Sequence, residues 1–255
     1  MWEKFNIRIL TIPTSNFPRI KDKMEKAGIQ TYKIHTYPSA KKTSNKGGKN
    51  IDFLDILAHD HIDETSLNIT RNHVNVISES FAEGLENVLI LEDDVEFSVS
   101  SQKLEKIQNW ISNNNWDILY FGHCPWPIIF NIPVAKDIVK TFSPLLAHCY
   151  LLNRRGMSKV IQTYRKKKLL QFERLLQASN LRSYAVLPSI AYQIDPPGLY
   201  SNAVEKLNLP CISHNKVFYS MEIIAVCMPI IISMILVWVC IKWVISIRTN
   251  EKLKK

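Results

Sequence analysis

The chain has 255 residues, 46% of them hydrophobic, 10% aromatic and 22% charged. That balance excludes a disordered, collagen-like or low-complexity polymer and leaves room for one large domain with an appendage. The formal net charge is +9, and residues 1–216 keep 27 Lys and Arg against 21 Asp and Glu, an excess of +6. The excess suits phosphate-bearing ligands and anionic membranes, but lacks the dense basic stripe of a nucleic-acid binder, so no nucleic-acid partner is expected.

Residues 6–12 (NIRILTI) read as a strand, and Pro18 then opens a helix that Gly28 stops. A second strand is expected over residues 30–35, followed by a basic, glycine-containing loop over 39–50. Thr65 or Ser66 is placed to cap a helix running to Gly84, and residues 87–91 (NVLIL) form a buried-type strand that ends in acids. Leu104, Ile107, Trp110 and Ile111 recur at helical spacing, and residues 116–121 (WDILYF) give another strand. Further strands are expected over 145–152 and 183–187, with helices carrying Met157, Val160, Ile161 and Tyr164 and spanning 169–178. Strands separated by helices imply an α/β fold with a mostly parallel sheet flanked by helices.

Residues 223–241 hold no charge, and as a helix would cover about 28 Å, the thickness of a bilayer's hydrocarbon. Tyr219, Trp238 and Trp243 lie toward its ends, and Lys242, Arg248, Lys252, Lys254 and Lys255 follow it. The organisation expected is a domain over 1–216, a C-terminal transmembrane helix with flanks over 217–247 and a basic tail over 248–255. No signal-peptide-like stretch precedes the domain, which favours a single-pass protein anchored by its C-terminus with the domain facing the cytosol. The positive-inside rule argues the other orientation. Five cysteines without paired spacing read as free thiols rather than a disulfide framework or zinc ribbon.

The sharpest local feature is LILEDDVEF, residues 89–97, in which Glu92, Asp93 and Asp94 follow one another at the end of an apolar strand. Their mutual repulsion offers nothing to packing, whereas a divalent cation would remove it. Mg²⁺ or Mn²⁺ is commonly held by one or two carboxylates with phosphates and water completing the shell, so the edge suits a nucleotide diphosphate. A solvated acidic turn is the alternative.

LILEDDVEF resembles the signature of glycosyltransferase family 25, which includes lipooligosaccharide and procollagen galactosyltransferases. Other blocks follow in the family's order. Residues 7–29 resemble its opening strand and helix, with Arg19 matching the Arg there, and residues 71–80 (RNHVNVISES) resemble its Ser-His helix start, with His73 matching the His. Residues 116–122 (WDILYFG), 148–161 (HCYLLNRRGMSKVI, with His148) and 184–193 (YAVLPSIAYQ) resemble later strands and a helix.

The resemblance implies a GT-A-like fold, a nucleotide-sugar donor such as a UDP-hexose, Mn²⁺ or Mg²⁺, and inverting transfer of a hexose to a hydroxyl of a glycan, protein or lipid acceptor, which the apolar C-terminal segment would place at a membrane. On that reading Asp94 and Glu92 are the metal ligands, and Asp93, Arg19, His73 and His148 the substrate-binding residues; an inverting transfer also needs a carboxylate base near the acceptor, for which Glu173 is the first candidate and Asp195 the second. Leu67-Asn68-Ile69-Thr70 stands where the family has Gly and Cys, and Phe172-Glu173-Arg174 where it has Pro-Asp. These departures keep open a second reading, a catalytically degenerate scaffold acting by interaction at a membrane.

Overall fold

Near-continuous apolar runs need a sheet covered on both faces, and β1 (Ile7–Thr11) and β3 (Asn87–Glu92) are such runs, with Val88, Leu89, Ile90 and Leu91 all buried. The computed structural model describes residues 2–11, 17–36, 64–124, 131–142, 145–167, 170–193, 231–235 and 237–242. β1 pairs in parallel with β2 (Lys33–Thr36) on one side and with β3 on the other. α1 (Phe17–Lys26) lies between β1 and β2 in the chain, and α2 (Glu64–Ala82) between β2 and β3. Gly28 and Gly84 adopt φ of +70° and +79° just beyond these helices, the left-handed turn that favours glycine. Thr65 and Ser66, expected as caps, fall inside the first turn of α2, which opens on Glu64; an acid there complements the helix dipole.

Beyond β3 the sheet departs from the mostly parallel expectation. β5 (Ile118–Cys124) is followed by the short antiparallel strands β6 (Ile132–Ala135) and β7 (Ile138–Lys140). The chain then returns as β8 (Leu145–Asn153), antiparallel to both β3 and β5. Parallel neighbours need a long crossover, usually a helix, and no helix separates β5 from β8 among the described residues. β9 (Ser183–Val186) pairs in parallel with β5 and antiparallel with β7, giving the order β2-β1-β3-β8-β5-β9-β7-β6. β4 (Val95–Phe97) and β10 (Ala191–Gln193) make a separate antiparallel pair beside the acidic tip. The fold is α/β with a mixed sheet.

Two apolar layers cover the sheet. Ile20 and Met24 of α1 pack with Leu104 and Ile107 of α3 (Ser101–Asn113), Leu89 and Leu91 on one face. Val76 and Ile77 of α2 meet Val160 of α4 (Arg154–Lys166), Leu175 of α5 (Phe172–Ala178), Val88 and Ile90 on the other. At the end of the sheet opposite the acids, Asp117 is fully buried and accepts from Arg155 Nε, from Lys159 Nζ at 2.9 Å and from the Arg182 backbone N–H at 2.8 Å. This carboxylate ties β5 to α4 and β9.

Of the predicted membrane span, residues 231–235 and 237–241 are described; they are helical, and their apolar side chains are exposed. The remaining span positions, the loop at 39–50 and Asp195 lie outside the described residues. No described helix is long and apolar enough to cross a membrane.

Candidate functional site

Side chains alternate across a strand, so successive acids at the end of β3 face opposite layers. Glu92 continues the row of Val88 and Ile90 toward α2 and α5, where His73 Nε2 sits 3.4 Å from its Oε1. His73 is buried, projecting from α2, and its Nδ1 lies 2.8 Å from the Tyr150 hydroxyl on β8. The imidazole stacks on Phe172 with centroids 4.1 Å apart, and Glu173 follows Phe172 at the start of α5. Four elements thus converge on a His, a Tyr and two carboxyl groups.

Burial sets the electrostatics. Desolvation lowers the His73 pKa to about 4, with the Glu173 charge opposing. Desolvation raises Glu92 to about 7, and neighbouring Asp93 adds to the rise. Glu173 is raised too, by burial first and by the Glu92 charge, against its own backbone N–H, which stabilises the carboxylate. Tyr120 and Tyr150 are pushed up by burial, so both phenols stay protonated. Near neutrality the imidazole is uncharged, with one donor and one acceptor nitrogen. If the Tyr150 hydroxyl donates to Nδ1, the Nε2–H faces the Glu92 carboxyl. Both carboxyl groups hold protons more tightly than a solvated acid, a property suited to proton transfer.

Asp93 points to the other layer, where its Oδ2 accepts from Thr11 Oγ1 at 2.6 Å. Its carbonyl oxygen accepts from Lys23 Nζ at 3.2 Å. Lys23 is buried on α1, and burial, then Arg19, lower its pKa, while Glu96, Asp94 and Asp93 raise it. Arg19 lies one turn earlier and Asp94 sits in the β3–β4 turn, both half-buried. Cations on α1 therefore stand beside the acidic turn. Glu92 and Asp93 do not converge on one point, and no group of three or more His, Cys, Asp or Glu among the described residues is arranged to hold a metal.

His148, on β8, is buried with its Nε2 3.3 Å from the Ala191 carbonyl oxygen at the start of β10. Gly122 faces this contact, and a Cβ there would collide with the imidazole and the same carbonyl. The structure thus brings together Glu92, His73 and Glu173 on one face and Asp93 and Arg19 near the other. Sequence reasoning missed Lys23, Thr11 and Tyr150. Lys23 is one of three lysines on α1 with Lys21 and Lys26, and only its position on the inner face sets it apart.

No protein-family model matches the chain, and no curated protein matches it. Among solved structures, A197 from STIV is similar at 12% identity over 75% of this chain and 87% of that one, with a TM-score of 0.43. A glycosyltransferase involved in the glycosylation of the major capsid of PBCV-1 is similar at 12% identity over 66% and 72%, with a TM-score of 0.32. Mannose-1-phosphate geranyltransferase from Thermus thermophilus is similar at 9% identity over 74% and 76%, with a TM-score of 0.38.

Proposed function

We propose that the chain is a glycosyltransferase moving a hexose, galactose or glucose, from a nucleotide-sugar donor such as a UDP-hexose to an acceptor hydroxyl on a glycan, protein or lipid, with inversion. The observation that carries the reading is the pair of carboxyl groups with raised proton affinity, Glu92 and Glu173, around a neutral His73 at the tip of β3. In the transfer the acceptor oxygen forms a bond to the sugar's anomeric carbon as the bond from that carbon to the diphosphate oxygen breaks. Glu173 takes the acceptor's proton, with Asp195 the other candidate. A base in this role contributes about 10²- to 10⁴-fold, more efficiently when its pKa lies near the working pH.

On the opposite layer, Arg19 supplies positive charge for the diphosphate and Asp93 orients the sugars, a role shared by His73 beside Glu92 and by His148 on β8. A divalent cation, Mn²⁺ or Mg²⁺, would be held by Asp94 with Glu92 as second oxygen donor, and would offset charge on the departing diphosphate. One or two hard oxygen donors suffice when phosphates and water fill the rest of the shell. The apolar segment at 223–241 anchors the chain in a membrane with the domain on the cytosolic side.

The test is calorimetry of the full chain in detergent against a panel of nucleotide sugars, with and without Mn²⁺, coupled to a transfer assay. Cation-dependent donor binding is expected, weakened at least about tenfold by Asp94→Ala. Glu173→Gln should retain binding and lose at least about 10²-fold in turnover. No binding of any donor, with or without Mn²⁺, would refute the proposal. One observation favours the scaffold reading instead: Glu92 is already engaged by His73. Slow donor hydrolysis abolished by Asp94→Asn would exclude it.

A further inference from the structure

Among the described residues β6 is an edge strand, paired only with β7, and all four of its residues are exposed. The register places Ile132 opposite Lys140, so these two side chains share a face, and a bulge between Pro133 and Ala135 falls at Val134. Phe142 extends that face, with the Lys140 ammonium 5.3 Å from its ring centroid. Ile132, Val134 and Phe142 are 51%, 46% and 54% exposed. The other large hydrophobic side chains exposed on the described part of the domain, Phe17 and Ile69, belong to different helices. The hairpin thus carries three exposed apolar side chains, with one lysine laid across Phe142 and a second, Lys136, in the turn beside Asp137.

We propose that the exposed side chains of the β6–β7 hairpin seat on the surface of an anionic lipid bilayer. An apolar patch crossed by a lysine whose stem lies along it while the ammonium stays wet is matched to the boundary between acyl chains and headgroups. The same pairing recurs in the exposed apolar helix of residues 237–242, where the Lys242 ammonium lies 5.5 Å from the Trp238 ring centroid. The chain's net charge of +9 favours an anionic surface over a neutral one. A protein strand adding to β6 is disfavoured by Pro133, which offers no N–H to a new ladder. The inference does not depend on sugar transfer.

The test is hydrogen–deuterium exchange of the full chain in vesicles of phosphatidylcholine alone and of phosphatidylcholine with 30% phosphatidylserine. Amides of residues 131–142 should exchange about fivefold or more slowly in the anionic vesicles, since one lysine near such a surface contributes about a fivefold effect. Lys136→Glu with Lys140→Glu should return exchange to the neutral-vesicle rate, as should Ile132→Ser with Val134→Ser, while exchange in β3 stays unchanged as evidence of folding. Equal exchange in both vesicles would overturn the proposal. So would protection that tracks the protein-to-lipid ratio and ignores lipid charge, the signature of a second copy pairing on β6.

Discussion

The His73–Glu92 pair makes a prediction with opposite signs at its two ends. Folded Glu92 titrates near 7 against an ordinary 4.5, so it keeps a proton that the unfolded chain has released, and stability falls as pH rises through that interval. Folded His73 titrates near 4 against 6.5, so the unfolded chain takes up its proton first, and stability falls as pH drops from 6.5 to 4. Each shift of 2.5 corresponds to about 3 kcal/mol, reduced to about 2 kcal/mol for Glu92 because 31% of its side chain is exposed. Between pH 4.5 and 6.5 the two slopes nearly cancel in the native protein.

Neither shift has the partner as a cause, since desolvation leads both and the added charges are Asp93 for Glu92 and Glu173 for His73. Removing one group therefore unmasks the other. Relative to the native chain, His73→Gln should lose about 2 kcal/mol as pH rises from 4.5 to 6.5, and Glu92→Gln should gain about 2 kcal/mol over the same range. Urea unfolding of the full chain at half-unit pH steps measures the slopes, while any loss of ring stacking enters as a pH-independent offset. Slopes of the same sign in the two variants would refute the assignment of a neutral imidazole against a protonated carboxyl.

Asp117→Ala removes a fully buried acceptor and leaves the Arg182 backbone N–H without its partner, while Arg155 and Lys159 can swing toward water. A loss of about 3 kcal/mol in denaturant unfolding is expected, and less than 1 kcal/mol would show that the carboxylate is not a tie-point. Gly122→Ala should lower stability by at least about 2 kcal/mol, because the new methyl group has no space between the His148 ring and the Ala191 carbonyl. The companion Gly122→Ala, His148→Ala chain should recover part of that loss if the imidazole is the obstacle.

The alternation of helices and strands was legible because apolar runs such as 87–91 and the helical spacing of Leu104, Ile107 and Trp110 are local signals. The direction of β8 was not, since a strand's polarity depends on what connects it and the connector here is the pair of short strands β6 and β7. The acidic tip could be read from charge repulsion alone, and so could its place at a strand end. Its division between two layers follows from the pleat, but which layer holds His73 depends on the docking of α2, which residues 64–82 do not encode by themselves. Tyr150 reads as one more apolar strand residue until β8 is set beside β3 in register with Ile90.

β4 leaves directly from the acidic turn and pairs with β10; β10 begins at Ala191, gripped by His148 of β8; and β8 runs back along β3. The acids are thereby mounted on a closed circuit of backbone and side-chain links. A mounting of this kind holds its charges at fixed coordinates before any molecule arrives, so an incoming anion or cation meets an electric field already in place and loses little free energy rearranging it.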